Sequence, residues 1–467
     1  MRILVAAMAT FLITSTPLLR GEDAARAHRV SPLLVIGPKA IRVDVPGGAT
    51  FACQLPGAAL NCYAPSEILT AYNIQPLLDE GFTGAGKTIV IIDAFGNPTI
   101  TDDLTVFNTV FGLPAAKLNI IYPDGQPVFD PNNADEVGWS GEISLDVEMA
   151  HAIAPAATID LVIAKSDADA DILSATKYAV DHHLGDVISQ SFGENESCVD
   201  PSIASKQHQV FIEATLKNMT LFASSGDNGA AQETCDGTSF VKAVSSPAVD
   251  PLVVAVGGTS LRATQPTGTY VGETVWNDEF GASGGGYSVL YNKPFYQLLA
   301  VKGSKRGIPD VAYNGDVNNG VLVAWSQGVP ANVGDIFIFG GTSAGSPQWS
   351  ALLTLADQRA GFDLGFINQG LYLIELSRKA YPASFHDITS GNNSVTVTDA
   401  SGNPLSIAGF NAGPGWDPTT GLGSPKGIDF VDNLLKFVSP FDGLIGIVES
   451  GPLSRESVSL HGKQRPH

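Results

Sequence analysis

Basic charge is scarce in this sequence, and charged residues of either sign are few. The 467 residues include 26 lysines and arginines against 47 aspartates and glutamates, so the formal net charge is −21. This argues against nucleic acid as a partner, because no basic surface is available to replace phosphate counterions. The excess of carboxyl groups suits an acidic medium, where protonation relieves their mutual repulsion. Since only 16% of residues are charged and 44% are hydrophobic, the chain can bury a large core.

Cysteine is also scarce, with four residues in the chain. No C-x-x-C or H-E-x-x-H spacing occurs, which argues against a zinc site. Four cysteines allow three disulfide connectivities. In an exported chain we expect structural bridges between Cys53 and Cys62 and between Cys198 and Cys235.

Uninterrupted apolar runs of transmembrane length are missing after the first residues. Met1-Arg2 precedes an apolar stretch from Ile3 to Leu19, and Ala25-Arg26-Ala27 has small residues of the kind at which a signal peptidase cuts. Threonines, a serine and a proline in the stretch disfavour the alternative of an uncleaved membrane anchor. We therefore expect residues 1–27 to be a signal peptide and the protein to be secreted, without stable membrane association.

Glycine and proline, by contrast, are plentiful, with 50 and 29 residues, which indicates many tight turns. Short apolar runs alternate with helical patterns between these turns. The alternation predicts an α/β fold with a doubly wound parallel sheet and helices on both faces, in which sites form beyond the carboxyl ends of the strands. The predicted strands are Thr88–Asp93, Thr158–Ile163, Val187–Ser191, Thr220–Ser224 and Pro251–Val256.

One stretch combines a strand, a glycine turn and a helix. The apolar run Asp335–Phe339 predicts a strand, Gly340-Gly341-Thr342-Ser343 a sharp turn, and the residues just after the serine a helix. Ser343 at such a helix start can attack a carbonyl, because unpaired N–H groups and the helix dipole stabilise negative charge there. The alternative is that Ser343 merely caps the helix. The longer string through Pro347 resembles the serine motif of subtilisin-type peptidases.

A nucleophilic serine needs a base, and none of the eight histidines stands in the His-Gly-Thr setting of a subtilisin. Glu142 and Asp146 are spaced i, i+4 on a predicted helix, so their carboxyl groups are neighbours. Such a pair can share a proton or have a raised pKa. The alternative is a solvated acidic first turn that complements the helix dipole. The apolar face of the same helix comprises Leu145, Met149, Ala152 and Ile153.

Three motifs in order carry a family resemblance: Glu142 with Asp146, Ser224-Ser225-Gly226-Asp227-Asn228-Gly229, and Gly341-Thr342-Ser343. Together they resemble the sedolisins, serine-carboxyl peptidases with a subtilisin-like fold. The resemblance implies that Ser343 is the nucleophile, Glu142 its general base, and Asp146 the residue that orients Glu142 and shares its proton. Asp227 would donate a hydrogen bond to the oxyanion as a protonated carboxyl, although its motif alone favours an Asx turn.

The resemblance also divides the chain and suggests further sites. Residues 28–62 would be a short N-terminal extension, 63–438 a single large sedolisin-like catalytic domain, and 439–467 a disordered tail. Ser283-Gly284-Gly285 resembles the strand edge that pairs with extended substrate, the alternative being a flexible glycine loop. One structural Ca²⁺ is implied, held by hard oxygen ligands: the carboxylates of Asp387 and Asp417 and the carbonyls of Ile388, Gly413 and Gly415.

Two other acidic features differ in what they suggest. Asp93 stands where relatives often place a glutamate that extends the carboxyl network. The run Asp167-Ala168-Asp169-Ala170-Asp171 lacks the glycine and distal glutamate of an EF-hand loop, so we interpret it as a solvated segment.

The leading hypothesis is therefore a secreted, monomeric, acid-acting serine-carboxyl peptidase that cleaves polypeptides. A carboxylate base fits low pH, where an imidazole would stay protonated. One alternative is a catalytically silent, secreted peptide-binding homologue on the same fold. Another is a histidine-dependent subtilisin, whose activity would rise towards alkaline pH.

Overall fold

The structure, a computed structural model, describes residues 28–43, 50–55, 57–330 and 333–438. The predicted signal peptide and the predicted C-terminal tail lie outside the described residues. The strands are β1 (Ser31–Pro32), β2 (Val35–Lys39), β3 (Asn61–Tyr63), β4 (Thr88–Ala94), β5 (Lys117–Ile121), β6 (Thr158–Ala164), β7 (Val187–Gln190), β8 (Phe192–Asn195), β9 (Thr220–Ser224), β10 (Ala231–Glu233), β11 (Phe240–Lys242), β12 (Ser245–Ser246), β13 (Val254–Ala263), β14 (Tyr270–Val275), β15 (Gly286–Asn292), β16 (Lys305–Ile308), β17 (Val311–Asn314), β18 (Asn319–Ala324), β19 (Ile336–Gly340), β20 (Phe385–His386), β21 (Val395–Thr398), β22 (Pro404–Ile407) and β23 (Ser424–Pro425).

The α-helices are α1 (Pro65–Ala71), α2 (Gln75–Asp79), α3 (Ile100–Phe111), α4 (Ala134–Ile153), α5 (Asp169–Asp181), α6 (Pro201–Leu216), α7 (Gly345–Ala360), α8 (Asn368–Glu375), α9 (Ala380–Ser384) and α10 (Gly427–Phe437). Short 3₁₀ turns span Ala52–Gln54, Phe295–Gln297 and Thr342–Ala344. No helix of the described ranges is both long enough and apolar enough to cross a bilayer.

An eight-stranded sheet forms the centre of the fold. Its order is β14-β13-β9-β7-β4-β6-β5, with β17 also paired to β13, and the β13–β14 pair is antiparallel while the others are parallel. Helices α4 and α7 pack together, as do α5 and α6, and each pair contacts the sheet. The predicted α/β fold with a parallel sheet is therefore confirmed, as are the strands that begin at Thr88, Thr158, Val187 and Thr220.

The last predicted strand of that sheet begins later than the sequence suggests. β13 begins at Val254 rather than Pro251 and runs on to Ala263. The reason is local, because the Leu252 N–H donates to the Asp250 carboxylate and the Val253 N–H to the Asp250 carbonyl, which closes a turn just before the strand.

A second sheet, ordered β2-β19-β18-β3, carries the serine turn. β19 leads through Gly341 and the 3₁₀ turn Thr342–Ala344 into α7, which confirms the predicted strand, turn and helix. Gly341 has φ +98°, and a Cβ there would lie 2.5 Å from the Leu33 carbonyl oxygen and 2.7 Å from Asp227 Oδ2. The turn therefore requires glycine for both its conformation and its close contacts.

Helix α4 is buried on all sides rather than on one apolar face. Every residue from Trp139 to Ile153 is buried, because α3, α7 and β18 pack around the helix. The helix begins after Asn133, whose side chain accepts a hydrogen bond from the Asp135 N–H. Glu142 and Asp146 consequently lie in the buried middle of α4, which excludes the solvated first turn.

Residues 28–39, here called the amino-terminal strap, cross from one sheet to another. β1 pairs with β8 through Ser31 opposite Gly193, and β2 pairs with β19 through Val35 opposite Gly340. Further along, β3 pairs with β18. The chain before residue 63 thus contributes strands to the sheets. The two disulfides join Cys53 to Cys62 and Cys198 to Cys235, as expected.

Candidate active site

Three strands of the central sheet deliver polar groups to one edge. Asp93 lies near the carboxyl end of β4, Ser191 follows β7, and Asp227 comes three residues after β9. β7 lies between β4 and β9 in the sheet, so these groups meet at the carboxyl edge. Ser191 was not singled out from the sequence. The signal that could have indicated it is its place directly after a buried strand.

Ser343 is completely buried at this edge. Its hydroxyl donates to the Ser191 carbonyl at 3.1 Å, and its N–H donates to the Leu33 carbonyl of the amino-terminal strap at 2.9 Å. Neither carboxyl oxygen of Glu142 has a hydrogen-bond partner among the described residues, but the Ser343 hydroxyl is close enough to influence the pKa of Glu142. The structure therefore brings the predicted nucleophile and the predicted base together.

Glu142 has a pKa well above the usual range of a carboxyl group. Burial is the main cause, and the nearby carboxyl groups of Asp146 and Asp93 raise the pKa further. The Ser343 hydroxyl lowers the pKa, since a nearby donor favours the charged carboxylate. A glutamate held in this way can exchange a proton with a hydroxyl.

Asp146 and Asp93 continue the row of acids behind Glu142. Asp146 Oδ1 accepts a hydrogen bond of 2.8 Å from the Ser191 hydroxyl, and burial raises the pKa of Asp146. Asp93 is also fully buried, and both burial and the Asp146 carboxyl raise its pKa. Three neighbouring carboxyl groups that are all buried cannot all ionise, so they share protons.

Asp227 binds the serine turn at Thr342. The Thr342 N–H and hydroxyl both donate to Asp227 Oδ1, at 2.8 and 2.7 Å. Oδ2 is buried and has no hydrogen-bond partner among the described residues. Burial raises the pKa of Asp227 to about 7, although the Thr342 bonds lower it. Below that pH the carboxyl is protonated and can donate a hydrogen bond.

The raised pKa of Asp227 predicts how stability varies with pH. A carboxyl whose folded pKa exceeds its unfolded value stabilises the fold below the unfolded pKa, and this contribution is lost as pH rises through the folded pKa. For Asp227, whose pKa rises from 3.8 to about 7 on folding, the stabilisation that is lost is on the order of 4 kcal/mol. We expect Tm to fall by several degrees between about pH 5 and pH 8, measured by calorimetry.

The matched variants for this prediction are Asp227→Asn and Asp236→Asn. Asparagine at position 227 does not titrate, so the slope of Tm against pH should become shallower. Asp236 is exposed and its pKa is lowered by hydrogen bonds from Thr234 and Thr238, so its variant should keep the parental slope above pH 5. A Tm that rises from pH 5 to pH 8 in the parent protein would contradict the prediction.

Ser283, Gly284 and Gly285 lie behind the Asp227 loop. The Gly284 N–H donates to the Gly226 carbonyl at 2.7 Å, and the Ser225 hydroxyl donates to the Gly284 carbonyl at 2.7 Å. The Ser283 hydroxyl donates to the Thr419 carbonyl. These groups are thus already paired within the fold. β1, an extended segment of the amino-terminal strap, pairs with β8 and not with Ser283, Gly284 and Gly285.

The acidic run after β6 is not solvated, and the interpretation from the sequence was wrong. Asp167 and Asp169 are only 7% and 6% exposed. The amino-terminal strap covers them, with Arg29 paired to Asp167 at 3.1 Å and His28 at 3.9 Å from Asp169. The run gave no hint of this contact, because its partners lie far away in the sequence.

The predicted calcium residues meet in the C-terminal region. Asp387 accepts a hydrogen bond from the Gly415 N–H at 3.2 Å, and Asp417 accepts one from the Gly413 N–H at 3.1 Å. Glu375, which was not predicted, lies beside them and has one buried oxygen without a partner among the described residues. Within the described ranges no group of three or more acidic, histidine or cysteine side chains could hold a metal ion. The predicted set has two carboxylates, its other ligands being carbonyls.

The buried histidines bond to groups other than Ser343. His151, on α4, bonds to the Pro114 carbonyl at 2.9 Å, and His208 pairs with Asp250 at 2.8 Å. The half-buried His386 stacks against Tyr270. These contacts disfavour a histidine base.

Known proteins resemble this chain over most of its length. It is 35% identical to kumamolisin of Bacillus sp. (strain MN-32) over 404 residues, which are 83% of this chain and 66% of the relative. It is 29% identical to sedolisin of Pseudomonas sp. (strain 101) over 423 residues, 86% of this chain and 64% of the relative. The chain thus spans slightly less than two thirds of the length of these relatives. No family model matches the chain.

The fold has a solved counterpart. The structure of Pseudomonas sedolisin, a serine-carboxyl proteinase complexed with two molecules of pseudo-iodotyrostatin, matches with a TM-score of 0.67 and 28% identity. The match covers 81% of this chain and 99% of the solved one. Fold and comparisons together define a subtilisin-like α/β protein of the serine-carboxyl class. The chain belongs to the sedolisin family.

Proposed function

We propose that this protein is a secreted, acid-acting serine-carboxyl peptidase that hydrolyses peptide bonds. The observation that carries the proposal is the buried row Ser343, Glu142 and Asp146, with Asp227 across the serine turn. Family membership supports the same chemistry. Each of these side chains matches one step of acyl transfer.

Glu142 takes the Ser343 proton as the hydroxyl oxygen attacks the substrate carbonyl. Asp146, held by the Ser191 hydroxyl, fixes Glu142 and shares the proton that accumulates there. Protonated Asp227 and the Ser343 N–H donate to the oxyanion, which a charged Asp227 would repel. Glu142 then protonates the leaving amine, and a water molecule activated by Glu142 releases the acyl group.

Acid activity follows from the protonation states. Asp227 donates only while protonated, and its pKa of about 7 sets an upper boundary on pH. We expect casein to be cleaved at about pH 4 and spared at about pH 8, measured as new amino termini. A histidine-dependent enzyme would show the opposite trend, and a silent binding homologue would bind peptide at pH 4 without producing new termini.

We also propose one structural Ca²⁺ at Asp387, Ile388, Gly413, Gly415 and Asp417. The local charge supports the fit. Burial is the main cause that raises the pKa of Tyr381, and the carboxyl groups of Asp387, Glu375 and Asp417 raise it further. Such concentrated negative charge beside a buried, unpaired Glu375 oxygen suits a hard divalent cation. Bound calcium would connect the segment at Asp387 and Ile388 to the segment from Gly413 to Asp417, and it would take no part in the reaction.

Chelation tests the calcium proposal. At free calcium 100-fold above Kd the ion would stabilise the fold by about 2.7 kcal/mol, so EDTA at about pH 6 should lower Tm. Calcium in excess should restore it. Asp417→Asn should lower Tm and abolish the EDTA response, whereas Asp399→Asn, in an exposed turn between β21 and β22, should retain the response. An identical melting curve with and without EDTA would remove the proposal.

A further inference from the structure

An apolar groove lies between helix α8 and the segment 295–300. It has a volume of about 240 Å³, and its lining includes Phe295, Tyr296, Leu299, Gln369, Leu373 and Leu376. Leu299 is 79% exposed and Leu376 is 52% exposed, and the neighbouring Leu298 is 60% exposed. Large apolar side chains that cluster in this way at a protein surface mark a place where another segment binds.

The two walls of the groove are fixed to each other. The Gln297 side-chain N–H donates to the Tyr372 hydroxyl at 2.7 Å, and the rings of Tyr296 and Tyr372 have centroids 5.2 Å apart. These contacts join α8 to the 3₁₀ turn Phe295–Gln297, so the groove keeps its shape without an occupant. The side-chain oxygen of Gln369 is buried and has no hydrogen-bond partner among the described residues. An extended occupant would bring main-chain N–H groups that can bond to it.

The described part of the chain ends beside this groove. Helix α10 packs on α8, and after it Val438 has an extended backbone while its N–H donates to the Leu434 carbonyl at 3.0 Å. A Cβ added to Gly370 of α8 would lie only 2.5 Å from Val438 Cγ2. Gly370 follows Gln369 directly and precedes Leu373 by three residues. The chain therefore leaves the described residues in extended form, against the helix that forms one wall of the groove.

The sequence that follows Val438 begins with an apolar stretch. Residues 439–467 lie outside the described residues, and five of the eight residues 441–448 are large and apolar: Phe441, Leu444, Ile445, Ile447 and Val448. Polar residues predominate from position 449 to the end. The isoleucines and the valine favour an extended backbone, and Gly443 and Gly446 allow the backbone to approach a wall closely. The composition of 441–448 thus matches the groove.

The distance to the groove is short enough for this stretch to reach it. Three extended residues carry the chain about 10 Å, from Val438 to Phe441. Along α8 the six residues from Gly370 to Leu376 span about 9 Å. A segment on so short a tether is present at a millimolar effective concentration. This favours the chain's own segment over the same segment of a second copy.

We propose that residues 441–448 bind in extended form in the groove between α8 and the segment 295–300. The segment covers Leu299 and Leu376 with its apolar side chains and supplies a main-chain donor near the Gln369 oxygen. It thereby joins the carboxyl-terminal helix α10, α8 and the segment 295–300 into one unit. The interaction stabilises the fold and does not depend on the proposed peptidase function.

The test measures how fast a maleimide reacts with a thiol in the groove at about pH 7. The four cysteines of the chain all form disulfides, so Leu299→Cys introduces a single free thiol. Its labelling should be at least about tenfold slower than in the same protein that also carries Phe441→Ser and Ile445→Ser, because a covered side chain reacts only during local opening. Val128→Cys, 93% exposed in the loop before α4, should react equally fast with and without these two serines. Intact mass confirms the full chain in every sample.

Matched variants separate docking from other effects of the serines. Val458→Ser with Leu460→Ser, later in the same tail, should leave the Leu299→Cys thiol slow to react. Leu299→Ser should lower Tm by at least about 2 °C in the parent, since a covered leucine is lost, and should have little further effect in the variant with serines at 441 and 445.

Two results would overturn the proposal. One is labelling of Leu299→Cys in the full chain as fast as that of Val128→Cys, which would show that nothing covers the groove. The other is slow labelling that appears only at high protein concentration, together with a dimer in sedimentation analysis. That result would assign the groove to a second copy of the chain.

Discussion

Ser343→Ala is expected to lower peptide hydrolysis at about pH 4 by at least about 10⁴-fold. The substitution removes the oxygen that forms the acyl intermediate. The remaining hydrogen-bond donors then have no serine-derived oxyanion to stabilise. The measurement is kcat/KM on a short peptide added in trans.

Folding is not expected to suffer in this variant. The lost hydroxyl makes a hydrogen bond of 3.1 Å to the Ser191 carbonyl, so its removal should cost about 1 kcal/mol. A matched control is Ser346→Ala, in the same helix start, where the hydroxyl bonds to Ser189. Substantial hydrolysis by purified Ser343→Ala, with Ser346→Ala as active as the parent, would rule out Ser343 as the nucleophile.

Glu142→Gln is expected to lower kcat by about 10³-fold. General-base catalysis contributes roughly 10²–10⁴-fold, and glutamine has the shape of glutamate without its basic oxygen. Because KM depends mainly on the cleft, the loss should appear in kcat. The pH–rate profile should also lose the acidic limb that reports ionisation of the Glu142 and Asp146 pair.

The chain supplies a matched control for this variant on the same helix. Glu148 is also fully buried in α4, with a raised pKa caused by burial, and it accepts a hydrogen bond of 2.8 Å from the Ala324 N–H. Glutamine can still accept that bond, so Glu148→Gln should retain kcat and the parental pH profile. Equal losses in both variants would mean that Glu142 acts through helix packing rather than as the base.

Local sequence was sufficient to predict much of the fold. The apolar runs β4, β6, β7 and β9 are readable because parallel strands covered by helices are apolar at nearly every position. The start of β13 was misplaced because a side-chain turn at Asp250 competes with the strand. β2 and β3 were not predicted, since short strands that pair with segments about 250 to 300 residues away carry no local signal.

Local sequence likewise predicts some residues of the site and misses others. Glu142 and Asp146 could be paired from the sequence because they are one helical turn apart, and Ser343 could be chosen from its turn and helix. Ser191 was missed because it acts through a hydroxyl and a carbonyl that bond to distant residues. Glu375 was missed because nothing near it in the sequence relates it to Asp387.

The sequence by itself determined which chemical groups are present, their order, and which of them are neighbours on a helix or a turn. The tertiary structure alone decided that α4 is buried on every side, that Asp227 bonds to the serine turn, and that Leu33 of the strap bonds to Ser343. The physical reason is that desolvation and long-range strand pairing depend on residues far apart in the chain. These effects set the pKa values of the acids and place Leu33 beside Ser343.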